Sequence, residues 1–243
     1  MADRVESIQL AAFVHATPPF SAHEAWLKAF PGEILDGFRT LSPGNTVAEG
    51  KVKNTFILLQ VQANRVDIVA KAPVTPTPVP DAIPDFDAAR SLCEGAFAAL
   101  MPFLFLARAA MVINAHTLAR DAIDAVAKIG TMIPSLSLPN GTIDCLHQLT
   151  VQYESSIKAG RKINQLLRWQ SVQSAIVAAA QGPVSVEALL ASAGANVQFA
   201  AVHMIDVFGA EPEVFASEED KAAHVTEVVE RAVGILNGGV SVS

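Results

Sequence analysis

Apolar residues recur along this chain with a period of two in some segments and of three to four in others. The two periods alternate in an order that runs through twice: strand, helix, three strands, long helix. The first pass covers residues 5–103 and the second residues 104–237. Between residues 5 and 16, Ile8, Leu10 and Phe13 fall on apolar positions with an irregularity at Ala11 and Ala12, which reads as a strand with a bulge. Ser21 with Glu24 three residues later forms a capping-box signature, so a short helix carries Trp26 and Phe30 and stops at Pro31-Gly32. A second strand is expected within residues 33–42. Thr55 to Gln62 and Arg65 to Lys71 follow as a hairpin turning at Ala63-Asn64, where Asn tolerates the left-handed backbone of a tight turn.

Ala72 to Pro84 holds five prolines in thirteen residues and therefore reads as an extended connection. Ala88, Leu92, Cys93, Ala96, Phe97 and Leu100 then recur at helical spacing, in a helix over 87–103. In the second pass, Leu104 to Leu118 reads as a strand, Arg120 to Gly130 as a helix, and Thr142 to Ile157 with Arg161 to Ala179 as a long hairpin. A short helix over 185–193 and a strand over 196–208 come next. The chain closes with a helix over 217–236 that has an acidic first turn and ends at Gly238-Gly239.

Tight hairpins require antiparallel pairing. The expected class is therefore α+β: two similar halves, each strand-helix-three strands-helix, with antiparallel sheets covered by long helices and joined edge to edge. Such an internal duplication would be one of topology, since the two halves share negligible sequence identity.

Composition narrows the function classes. Half of the residues are apolar and only 17% are charged, below the roughly 25% of ordinary soluble domains. Much of the surface is accordingly expected to be covered by packing or by a partner, with a homo-oligomer as the default and another protein as the alternative. A net charge of −7 and a pI near 5.3 argue against general nucleic-acid binding. The group Lys158, Arg161, Lys162 and Arg168 reads as a polar hairpin turn. The N-terminus lacks the order of a signal peptide, and the apolar stretch 96–113 is broken by Pro102 and Arg108. The chain thus reads as a cytoplasmic protein with no membrane segment. Cys93 and Cys145 sit among apolar neighbours and lack zinc-ligand spacing. With no Gly-rich phosphate loop, no Gly-x-Ser-x-Gly elbow and no His-Glu-x-x-His, neither a cofactor nor a metal is expected.

The remaining chemical signal is a set of polar residues inside apolar strands: Arg108, Asn114 and His116 on one, Tyr153 and Arg168 on the long hairpin, His203 and Asp206 on the last; six of these, all but Asn114, are the candidate ligand-binding residues. A buried ionisable group is costly unless paired, so Arg108 and Asp206 are candidates for a linked polar centre. His203 and Asp206, three positions apart, face opposite sides of a regular strand. Trp26, Trp169 and the methionines read as core.

The run Arg108-Ala-Ala-Met-Val-Ile-Asn114 after a long helix, and His203-Met-Ile-Asp-Val-Phe208 before the terminal one, give the chain a weak resemblance to a sporadically distributed, functionally uncharacterised group of bacterial proteins of about this length. The resemblance implies a bacterial cytoplasmic origin and no mechanism. Two functional readings stand side by side. One is a binding or assembly protein acting through protein contacts. The other is an enzyme or small-molecule receptor in which His116, Tyr153, Arg168 and His203 converge on an anion in a pocket between sheet and helices.

Overall fold

The computed structural model describes residues 4–73, 81–133, 135–175 and 197–238. The strands are β1 (Arg4–Val14), β2 (Gly37–Ser42), β3 (Asn45–Val52), β4 (Thr55–Gln62), β5 (Arg65–Lys71), β6 (Leu106–Ala119), β7 (Leu146–Glu154), β8 (Lys162–Ala175) and β9 (Val197–Gly209). The helices are α1 (Ala22–Ala29), α2 (Phe86–Leu100), α3 (Ala122–Met132) and α4 (Glu218–Gly238), with a 3-10 turn at Met101–Phe103.

All nine strands lie in one antiparallel sheet in the order β2-β3-β4-β5-β1-β6-β9-β8-β7. Two meanders, β2 to β5 and β7 to β9, flank a central pair, β1 and β6, whose register places Ile8 opposite Ile113 and Leu10 opposite Met111. The helices pack on one face. Trp26 of α1 lies over β3, Cys93 of α2 is hydrogen-bonded to the backbone of Ala70 on β5, and α3 and α4 contact β6 and β9. The apolar side chains between this layer and the sheet form one contiguous core.

Local chemistry accounts for the helices. In α1 the Ser21 side chain accepts from the Glu24 N–H while the Glu24 carboxylate accepts from the Ser21 N–H. Asp85 and Asp121 cap α2 and α3 more simply, their carboxylates accepting from the N–H groups of Ala88 and Asp124. Ala89, Cys93, Ala96, Phe97 and Leu100 form the buried stripe of α2.

The expectation of two similar α+β halves is overturned. One sheet-dominated architecture replaces it: the first segment contributes five strands and the second four, all to a single sheet. The helices in corresponding positions differ in length, 8 residues in α1 against 11 in α3 and 15 in α2 against 21 in α4. Much of the error lies in β3, which periodicity alone misses. Its covered positions are Ala48, Gly50 and Val52, and a Cβ at Gly50 would stand 2.9 Å from the Trp26 ring and from the Ile34 carbonyl oxygen. The strand is nearly blank in hydrophobic signal because Trp26 takes the space its side chains would fill.

Smaller corrections have equally local causes. The irregularities of β1 fall at Val5/Ser7 and Phe13/Val14, not at Ala11-Ala12, whose small side chains only mimic a break in the pattern. The left-handed non-glycine residue is Lys53 (φ 53°), in the β3–β4 turn, rather than Asn64. The helix expected over 185–193 lies outside the described residues. No helix among the described residues is long and apolar enough to cross a membrane.

Candidate functional site

Strand alternation gives the sheet two unlike faces. On the covered face, Ile8, Leu10, Met111, Ile113, Leu167 and Ile205 are all 0% exposed. The opposite face is open among the described residues, yet its central rows are only partly exposed, because long side chains lie down across the strands. Along β5, β1, β6 and β9 these rows read Asp67, Ala11, Ala110, Phe208 and, one step along, Val69, Gln9, Val112, Asp206.

The six residues singled out by sequence divide between the faces. Arg108, His116, Arg168 and Asp206 share the parity of the open face, while Tyr153 and His203 belong to the covered one. Tyr153 lies under the Arg231 guanidinium of α4, 4.5 Å from its ring centroid. His203 stacks on Trp169 with centroids 5.0 Å apart and ring planes within 8°. Arg168 donates to Gln170 on its own strand, and His116 is buried nearer the end of the open face. The set His116, Tyr153, Arg168 and His203 therefore does not converge, and the pocket expected from it is not formed by these side chains.

Arg108 and Asp206 do meet the same environment. The Arg108 guanidinium lies 4.1 Å over the Phe13 ring and 5.5 Å from the Phe208 centroid. Arg65 approaches the Phe13 ring at 4.8 Å and donates through Nε to Asp67 Oδ1 at 2.7 Å, where Gln9 Nε2 also donates at 2.8 Å. Burial pushes the Asp206 carboxyl up to about 6, with the positive charges of Arg108 and Arg65 pulling the other way. The two groups feel each other without bonding: Asp206 Oδ1 and Arg108 Nε are buried atoms with no hydrogen-bond partner, and no ion pair joins them. Sequence reasoning found this pair from charge inside an apolar run. It missed Gln9 and Phe13 as their neighbours, since nothing in an alternating strand names the residue opposite.

A second polar centre lies where the sequence was read only as a polar hairpin turn. Arg161, its side chain 1% exposed, donates to Glu213 and Asp220, and Lys158 adds ion pairs to both acids. Glu227 accepts from the Ser155 and Ser156 hydroxyls. Lys158 and Arg161 of the basic group expected at this turn are thus neutralised, and their work is to fasten the β7–β8 turn to the start of α4. His224 is enclosed beside it, and burial, followed by the Arg161 charge, lowers its pKa to about 4.

The sheet ends in two different edges. The outer strand β2 is six residues long, has a register shift between Thr40 and Ser42, and carries Arg39 paired with Glu49. The other outer strand, β7, is nine residues of regular pairing to β8, from Leu146↔Gln170 to Glu154↔Lys162, and its sequence LHQLTVQYE contains no Lys, Arg or Pro. Natural edges are ordinarily blunted by such residues or by bulges. Among the described residues no cluster of three or more His, Cys, Asp or Glu side chains could hold a metal ion.

No protein-family model matches this chain, and no curated protein matches it in sequence.

Proposed function

We propose that the chain is a non-catalytic assembly protein that associates with a second copy of itself by pairing β7 with β7 across a two-fold axis, extending the sheet. The observation that carries this reading is the unblunted β7 edge, together with its self-complementary sequence. An axis through Thr150 sets Thr150 opposite Thr150, Gln148 opposite Gln152, Leu149 opposite Val151 and His147 opposite Tyr153. Only Leu146 against Glu154 is mismatched. Cross-strand Thr–Thr and apolar pairs of this kind each contribute about 0.2–1 kcal/mol, beyond the backbone hydrogen bonds the edge gains. The isologous geometry closes at two copies.

The scatter of His116, Tyr153, Arg168 and His203 over both faces favours this reading over the small-molecule enzyme. Two buried, unpaired cysteines, with the Cys93 thiol pushed up to about 12 by burial, fit the reducing cytoplasm in which we place the protein. The resemblance to an uncharacterised bacterial group is compatible with this role and supplies no competing activity.

Thr150 is exposed at the axis, so a charge there tests the contact without touching the core. Sedimentation velocity at micromolar concentration should show a dimer for the natural chain, monomers for Thr150→Lys and for Thr150→Glu separately, and a restored dimer when the two variants are mixed. A natural chain that stays monomeric, or a Thr150→Lys protein that remains a dimer, would remove the proposal.

A further inference from the structure

Between α2 and α4, on the outer side of the helical layer, lies a cleft of about 340 Å³. Its size is that of a small-ligand site, and clefts between helices are a usual place for one. The floor is apolar, made by Phe97 and Met101 from the α2 side and by Val225 and Val229 from α4. The cleft opens because the facing positions Ala98 and Ala222 are too small to close it.

The polar groups at its rim are unbalanced. Arg90 is shared between two carboxylates, Asp87 and Glu94, each at 3.5 Å. Glu230, also on the rim, makes no ion pair or hydrogen bond among the described residues. Among the residues lining the cleft one guanidinium, Arg90, therefore stands against two carboxylates, Glu94 and Glu230, and only Glu94 is paired with it. A low-dielectric wall beside uncompensated negative charge raises the local concentration of cations. An anion would have to displace Glu94 and Asp87 to pair with Arg90, whose Nε is buried.

We propose that this cleft is a binding site for a small organic ammonium ion with an apolar body, its charged head on Glu230 and Glu94 and its body on Phe97, Val225 and Val229. Inorganic cations lack the apolar part and gain nothing from the floor; neutral molecules lack the charge. The cleft residues are distinct from those of the β7 edge, although α4, which forms one wall, also lays Arg231 over Tyr153 of that strand.

The experiment is an amide NMR titration of the full chain with benzylammonium and with its near-isosteres benzyl alcohol and benzoate. Benzylammonium should shift the amides of Ala98, Val225 and Thr226, with benzoate weaker by up to about fivefold, the range that one exposed charge contact supplies. Glu230→Gln should bring benzylammonium close to benzyl alcohol. Ala98→Trp, at an exposed helix position, should fill the cleft and abolish the shifts while leaving the circular dichroism spectrum unchanged. Equal binding of benzoate and benzylammonium, shifts that persist in Ala98→Trp, or no shifts with any of the three compounds would each overturn the assignment.

Discussion

The two faces of this sheet are built from the same strands and solve opposite problems. On the covered face, Trp169, Ile205, Val207 and their neighbours are dehydrated by the helices, and the polar groups that enter are either rings, His203 and His224, or charges partnered as Arg161 is with Glu213 and Asp220. On the open face, charge is retained, but partly buried: Arg108 lies on Phe13 and Phe208, Arg65 and Gln9 satisfy Asp67, and Asp206 is left short of partners. A packed helical layer excludes water uniformly. A face shielded, among the described residues, by its own long side chains excludes it unevenly, so ionised groups survive there at shifted proton affinities.

The largest expected contrast between the faces is in packing. Trp169→Ala removes a side chain 1% exposed and leaves a cavity under α3, and should cost about 3–5 kcal/mol in denaturant unfolding. Phe208→Ala, its half-buried counterpart on the open face, should cost about 1–2 kcal/mol, because solvent and the Arg108 stem can take up the space. Similar losses at the two positions would mean that the open face is as closed as the covered one.

The pH dependence sharpens the contrast, since one group on each face titrates in the same range with opposite sign. Asp206 has its folded pKa raised from 3.8 to about 6, so its contribution to stability is present below about 4 and is lost as pH rises through 6. His224 has its folded pKa lowered from 6.5 to about 4, so its contribution is present above 6.5 and is lost as pH falls toward 4. Each shift corresponds to something on the order of 2–3 kcal/mol, and in the natural chain the two slopes oppose each other between pH 4 and 6. Unfolding free energies at pH 4.5, 6 and 7.5 separate them. Asp206→Asn should gain on the natural chain as pH rises, and His224→Gln should gain on it as pH falls. Curves for either variant that run parallel to that of the natural chain would show that its group does not titrate as assigned.

The smallest effect expected is at Arg108. Had it been fully buried and bonded to Asp206, its loss would cost about 3–5 kcal/mol. With cation–π contacts and no ion pair, Arg108→Ala should cost about 1–2 kcal/mol. It should also move the Asp206 titration, followed by carboxyl NMR, further upward, because the first-named of the two opposing charges is gone. A downward or absent movement would show that Arg108 does not act on Asp206.

Much of this contrast was readable one element at a time. Two helices showed their devices in plain sight, the first by its cap at Ser21 and Glu24 and the second by its stripe along Ala96, Phe97 and Leu100, because both devices act within a few residues. The alternation that sends His203 and Asp206 to opposite sides is equally local. Arg108 and Asp206 were visible as charges inside apolar runs, since burying them unaided is costly wherever the strands lie. What escaped depends on neighbours distant in sequence. Gly50 is a strand residue because Trp26 occupies its side-chain volume. Arg161 is buried because Glu213 and Asp220 close over it, from 52 and 59 residues away.

By its periods, caps and breaks, then, the chain alone determined where most strands and helices form, that the strands pair antiparallel, and which residues would be costly to bury. Among the described residues, the tertiary structure decided that the nine strands make one sheet, that the four helices share one of its faces, and that β7 is an outer strand of it. The reason is that a local pattern sets which side of an element is apolar, whereas the identity of the surface that covers it depends on strand order and register, and these are chosen by the summed fit of contacts no short segment contains.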